Sequence, residues 1–85
     1  MIRFILYSRS YCHLCDDMLS ALKHLAGEEF EVTVIDIDAE GNEDVLARYD
    51  ELVPLLVGKR DGQPEQQLCH YFLNENTVRT FLSKA

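Results

Sequence analysis

The sequence predicts an α/β fold, ordered βαβαββα, with a four-stranded mixed sheet and helices on both faces. Three observations carry that reading. Short apolar runs alternate with stretches of helical spacing along the chain. The opening strand–helix–strand unit implies a parallel pair with a right-handed crossover. The tight turn between the last two strands implies an antiparallel hairpin. The 85 residues suit one domain, residues 1–85, near the lower limit for a self-sufficient core.

Each element has a local cause. Residues 2–7, Ile-Arg-Phe-Ile-Leu-Tyr, are almost continuously apolar or aromatic, which predicts a central strand covered on both faces. Ser8-Arg9-Ser10-Tyr11 is a polar break. From Cys12 the period becomes helical: Leu14, Met18, Leu22 and Leu25 form a stripe, with Cys15 and Leu19 beside it. Asp16 and Asp17 in the first turn, and Lys23 and His24 in the last, complement the helix dipole. Gly27 supplies a stop.

Residues 30–37 are rich in β-branched side chains and predict a second strand. A turn-rich connection over 38–42 leads to a short helix over 43–50, with Val45, Leu46 and Tyr49 at helical spacing. Residues 52–57 read as a third strand. Pro54 must sit at its start or on an edge, because proline donates no ladder hydrogen bond. Gly58 to Pro64 reads as a polar turn containing Asp61-Gly62. Residues 66–73 form a fourth strand, and Asn74 caps a last helix carrying Val78, Phe81 and Leu82.

Composition narrows the function classes. Hydrophobic residues make up 47% of the chain, which can therefore bury a core. No apolar run approaches the roughly 18 residues that cross a bilayer. The N-terminus starts on a strand-like run without signal-peptide features, so a soluble cytoplasmic protein is expected. A net charge of −7 without a Lys or Arg cluster disfavours nucleic acid and anionic membranes as partners. A monomer is the expected state.

Three cysteines do not make a small-protein disulfide framework. Cys12 and Cys15 stand at C-x-x-C spacing, which leaves redox chemistry or metal binding. Cys12 falls where the first strand meets the first helix. A thiolate there faces unpaired backbone N–H groups and the positive end of the helix dipole. Such placement lowers a cysteine pKa from about 8.5 into a range of about 3.5–7.5. Cys15 lies almost one turn on, beside the apolar stripe, and should be less exposed. Cys12 is thus the expected nucleophile and Cys15 the resolving thiol. Arg9 could stabilise the thiolate or attract an anionic substrate, or be an ordinary exposed arginine. Asp16 and Asp17 oppose its effect. Tyr11 sits beside Cys12, where it could line a substrate groove.

Rival readings are weaker. A chance pair of buried cysteines does not account for the strand-then-helix context. Cys12, Cys15, Cys69 and His70 are nominal zinc ligands, but Cys69 and His70 are adjacent in a strand and point to opposite faces. Glu28-Glu29 with Glu31, and Asp36 with Asp38, read as a solvated loop and a strand-end turn. Tyr49, Tyr71 and Phe72 read as packing. A thiol sensor or adaptor without turnover would share all these features.

The stretch Tyr7-Ser8-Arg9-Ser10-Tyr11-Cys12-His13-Leu14-Cys15, the βαβαββα order, the Val53-Pro54 dipeptide before a strand and the helix after the hairpin resemble the glutaredoxin branch of the thioredoxin superfamily. The likeness covers nearly the whole chain and is nearest to short bacterial glutaredoxin-like proteins. It implies a cis Val53-Pro54 bond. Val53 would then offer its backbone to an extended peptide or glutathione by strand addition. It also implies a thiol–disulfide oxidoreductase with no bound cofactor. Protein disulfides or glutathione mixed disulfides would be its substrates, and glutathione or a thioredoxin reductase its reductant. A bridging iron–sulfur cluster held by Cys12 is a further family possibility, one that needs glutathione.

Three departures stand out. His13-Leu14 replaces the Pro-Tyr usual between glutaredoxin cysteines. His13 could favour the reduced thiolate, or be a solvated histidine. The first strand carries no acid of the thioredoxin kind, which favours glutaredoxin-like chemistry. The family's Gly-Gly-Cys/Asp-type turn is replaced by Tyr71-Phe72-Leu73-Asn74-Glu75-Asn76, which weakens the expectation of glutathione binding.

Overall fold

A computed structural model describes residues 2–27 and 30–83. In chain order the elements are β1 (Ile2–Ser8), α1 (His13–Ala26), β2 (Glu31–Asp36), α2 (Glu43–Tyr49), β3 (Leu55–Arg60), β4 (Gln66–His70) and α3 (Glu75–Ser83). The strand order is β2-β1-β3-β4. β1 and β2 are parallel, and β3 runs antiparallel to both β1 and β4. This is the mixed four-stranded sheet that the sequence predicts, with β1 inside it.

The two-residue period of β1 divides its side chains between two cores. Ile2, Phe4 and Leu6 join Met18 and Leu22 of α1, Leu56 and Leu68 of the sheet, and Val78 and Phe81 of α3. Tyr7, with Ile5 packed beside it, joins Ile37, Tyr49, Leu55 and Val57. α1 and α3 therefore cover one face and α2 covers the other. β2 is an edge strand, and its Val34 is half exposed.

The expected caps are present. Gly27 adopts a φ of 75°, and its N–H donates to the Lys23 carbonyl at 3.0 Å. The Asn74 side-chain oxygen accepts from the Thr77 N–H at 3.1 Å. Among the described residues no helix is long and apolar enough to cross a membrane.

Four expectations need correction, and one falls elsewhere. The third strand runs Leu55–Arg60 rather than 52–57, because ladder pairing begins only after Pro54, at Leu55 opposite Tyr7 and His70. Gly58 is not the start of a turn but a strand residue opposite Phe4. The fourth strand ends at His70 rather than 73, because Tyr71 turns to a φ of 65° and leaves the ladder. In α1 the buried stripe is Cys15, Met18 and Leu22, while Leu14 is 38% exposed. The acidic pair Glu28-Glu29 lies outside the described residues.

Gly58 owes its place to a ring. A Cβ there would lie 2.5 Å from Cζ of Phe81 and 2.6 Å from its Cε2, so the ring packs directly on strand backbone. Gly58→Ala forces that buried ring to move, and overpacking of this kind costs about 1–3 kcal/mol. Urea unfolding should show a lower midpoint with an unchanged slope, and an unchanged midpoint would refute the close packing.

Candidate active site

Cys12 is the N-cap of α1. Its backbone is extended, at φ −109° and ψ 104°, and its Sγ accepts a hydrogen bond from the Cys15 N–H at 3.1 Å. Its carbonyl accepts the Asp16 N–H at 3.2 Å. A cap usually supplies a Ser, Asp or Asn oxygen to satisfy the orphan N–H groups of the first turn; here a sulfur does so. Cys12 and Cys15 are joined as a disulfide, with a Cα separation of 5.2 Å. Cys15 is 4% exposed, facing the core, while Cys12 is half-buried. The outer sulfur is presented and the inner one is shielded.

The loop between β1 and α1 is tied down from the side. Arg9 donates to Asp50, just past α2, at 2.6 Å, and its Nε lies 3.4 Å from Asp38, just past β2. The Asp50 hydrogen bond, helped by the charges of Asp38, Asp50 and Asp36, holds the guanidinium more firmly protonated than usual, although burial opposes it. Ser10 Oγ donates to Asp36 at 3.3 Å, and Asp36 also accepts the Asp38 N–H at 2.9 Å. Tyr11 takes a φ of 59°, and its side chain is fully exposed. His13 is exposed at the first position of α1. The candidates Arg9 and Tyr11 thus share the loop that ends at Cys12, and His13 follows it on α1, with Arg9 already engaged by two carboxylates.

On the far side the Val53–Pro54 bond is cis, as the family resemblance implies. Pro54 is buried and Val53 half-buried. The Pro54 carbonyl accepts the Tyr71 N–H at 2.8 Å, and the Tyr71 hydroxyl donates to the Glu51 carbonyl. Tyr71 therefore braces the segment that carries the proline. Tyr71 and Phe72 are 42% and 69% exposed, so they are not the interior packing the sequence suggested. With Leu14 they are the site residues that sequence reasoning missed. The available signal was two aromatic residues placed directly after a strand and before a capping Asn74.

Cys69 stands outside the disulfide, half-buried on β4 and opposite Leu56. His70 is exposed, so the two adjacent side chains diverge. Among the described residues no three His, Cys, Asp or Glu side chains converge as a metal site requires.

Comparison with known proteins agrees with this geometry. The model of the glutaredoxin-like domain (DUF836) matches residues 3–83. No curated protein matches the chain. Among solved structures, a structural genomics target protein, XcR50 from X. campestris, superposes with a TM-score of 0.64 at 26% identity, covering 96% of this chain and 97% of its own. Oxidised mitochondrial thioredoxin 3 from Saccharomyces cerevisiae gives a TM-score of 0.70 at 18% identity, covering 99% of this chain and 78% of its own. Fasciola hepatica thioredoxin gives 0.67 at 23% identity, covering 98% and 79%. With a thioredoxin fold, a C-x-x-C pair at the start of its first helix and a family match over nearly its whole length, the chain belongs to the glutaredoxin-like domain family.

Proposed function

We propose that the protein is a thiol–disulfide oxidoreductase working through Cys12 and Cys15. The observation that carries this is the capping sulfur: Cys12 Sγ accepts a helix N–H while Cys15 lies buried behind it. In the reduced protein the same N–H faces the Cys12 thiolate and stabilises it.

The chemistry balances as follows. The Cys12 thiolate attacks one sulfur of a substrate disulfide. A new S–S bond forms, the substrate bond breaks, and the second substrate sulfur leaves as a thiolate that takes a proton. Cys15 then loses its proton and attacks Cys12 Sγ. The Cys12–Cys15 bond forms, and the first substrate sulfur leaves and is protonated. Two electrons have passed to the substrate, and the protein is left in the disulfide form. Two glutathione molecules, leaving joined as their disulfide, or a thioredoxin reductase return the two electrons. Val53 offers the substrate backbone a place for strand addition, flanked by Pro54. Arg9 acts here by holding the loop, since Asp50 and Asp38 already answer its charge. The reducing cytoplasm is the proposed compartment, and an odd count of three cysteines is consistent with it.

Cys12→Ser should abolish turnover of a disulfide reporter, whereas Cys15→Ser should still accumulate a mixed disulfide, seen by mass spectrometry. A mixed disulfide on Cys15 in place of Cys12 would reverse the assignment. In the reduced protein at neutral pH, alkylation should label Cys12 about tenfold or more faster than Cys15 or Cys69.

Cys69 has a pH signature of its own. Burial pushes its thiol up, partly offset by a backbone hydrogen bond with Asn74. The folded state therefore holds this proton more tightly than the unfolded chain. The resulting stability is fully present below the unfolded thiol pKa of about 8.5 and is lost as pH rises through the raised folded value. The urea midpoint should fall less steeply above that pH in Cys69→Ala than in the parent, and equal slopes would discount the burial effect.

A further inference from the structure

Building on the exchange role of Cys12, we infer that the cleft between α1 and the chain after β4 takes a lysine or arginine side chain of a protein substrate. The cleft has a volume of about 290 Å3 and is walled by Leu14, Met18, Ala21, Tyr71 and Phe72, with Asp17 among its lining. Two of its lining residues are close to the disulfide along the chain: Leu14 lies between the two cysteines, and Met18 lies about one turn beyond Cys15.

Three features select the occupant. The first is exposed apolar surface. Among the described residues the large exposed hydrophobics are Tyr11, Leu14, Val34, Tyr71 and Phe72, and all but Val34 belong to the active-site loop, the start of α1 or the chain just after β4. Such concentration marks a contact surface. The second is charge. Among the described residues no cation pairs with Asp17, whereas Arg9 is matched by Asp50 and Asp38, and Arg79 by Glu75. The third is preorganisation. The Tyr71 N–H is held by the Pro54 carbonyl and the Phe72 N–H by the His70 carbonyl at 2.7 Å, so the aromatic wall is set before a ligand arrives.

A long basic side chain answers all three. Its aliphatic stem lies along the apolar walls while its head reaches the carboxylate. Aromatic faces at the rim add attraction for a cation. Glutathione, with two carboxylates against one ammonium group, brings the opposite sign.

The test uses the reduced full chain in single turnover. Cysteine peptides are presented as mixed disulfides with 2-nitro-5-thiobenzoate, differing only in Lys, Gln or Glu beside the cysteine. The Lys peptide should react faster than the Glu peptide by about tenfold, from a local ion pair added to the general field. Asp17→Asn should remove most of that preference, read as the ratio of Lys-peptide to Glu-peptide rates within each variant so that any change in Cys12 reactivity cancels. Asp44→Asn, on α2 across the sheet, should leave the preference intact. If Asp17→Asn and Asp44→Asn reduce it equally, the preference belongs to the overall negative charge and the pocket is overturned, while Cys12-dependent reaction of the Gln peptide keeps the exchange reading in place. If no peptide reacts although both thiols are reduced, the exchange reading fails and the pocket fails with it.

Discussion

The burial of β1 between β2 and β3 is the constraint from which the other features follow. Its alternating residues seed both hydrophobic clusters, so one strand holds α1 and α3 on one face and α2 on the other. Its two neighbours run in opposite senses relative to it. The chain leaving β2 and the chain leaving β1 therefore rise at the same end of the sheet and part toward opposite faces. A crevice at the carboxyl end of a central strand is where α/β sheets place their ligands. The loop after Ser8 delivers Cys12 to that crevice, at the first turn of a helix whose N–H groups need an acceptor. Strand order, helix placement and sulfur chemistry are thus consequences of a single apolar run.

The loop's surroundings are acidic, and the acids are not equivalent. Asp36 and Asp38 at the end of β2, and Asp50 at the end of α2, converge on Arg9 and Ser10. These contacts fasten the cysteine loop to the opposite side of the sheet. An exposed ion pair contributes little by itself. Here its use is geometric, because the Arg9–Asp50 contact joins the cysteine loop to the end of α2, which no ladder connects to it. Asp16 in the first turn of α1 and Asp17 just beyond it are exposed, and they add negative charge to this end of the helix.

Features with a local cause were legible in the sequence. The apolar continuity of Ile2 to Tyr7, the stop at Gly27, the cap at Asn74 and the placement of Cys12 before a helical stripe are each set by a few neighbouring residues. Other features depend on contacts between distant segments. Gly58 reads as a turn residue until the Phe81 ring, from the last helix, is laid on it. Leu14 and Cys15 compete for the same stripe, and only the docking of α1 on the sheet sends one inward. The carboxylates that claim Arg9 lie 29 and 41 residues further along. Tyr71 and Phe72 resemble core aromatics by type, and only the positive φ at Tyr71 turns them out of the ladder.

The exposed edge at β2 has a consequence for how copies of the chain meet. An edge strand with an outward Val34 offers unpaired backbone groups to a second β2. The strand begins at Glu31 and ends at Asp36. Two copies aligned antiparallel in full register would set each glutamate against the other copy's aspartate, at both ends of the new ladder. Like charges directly opposite one another destabilise a strand pair. The open seam therefore carries its own repulsion against a second copy.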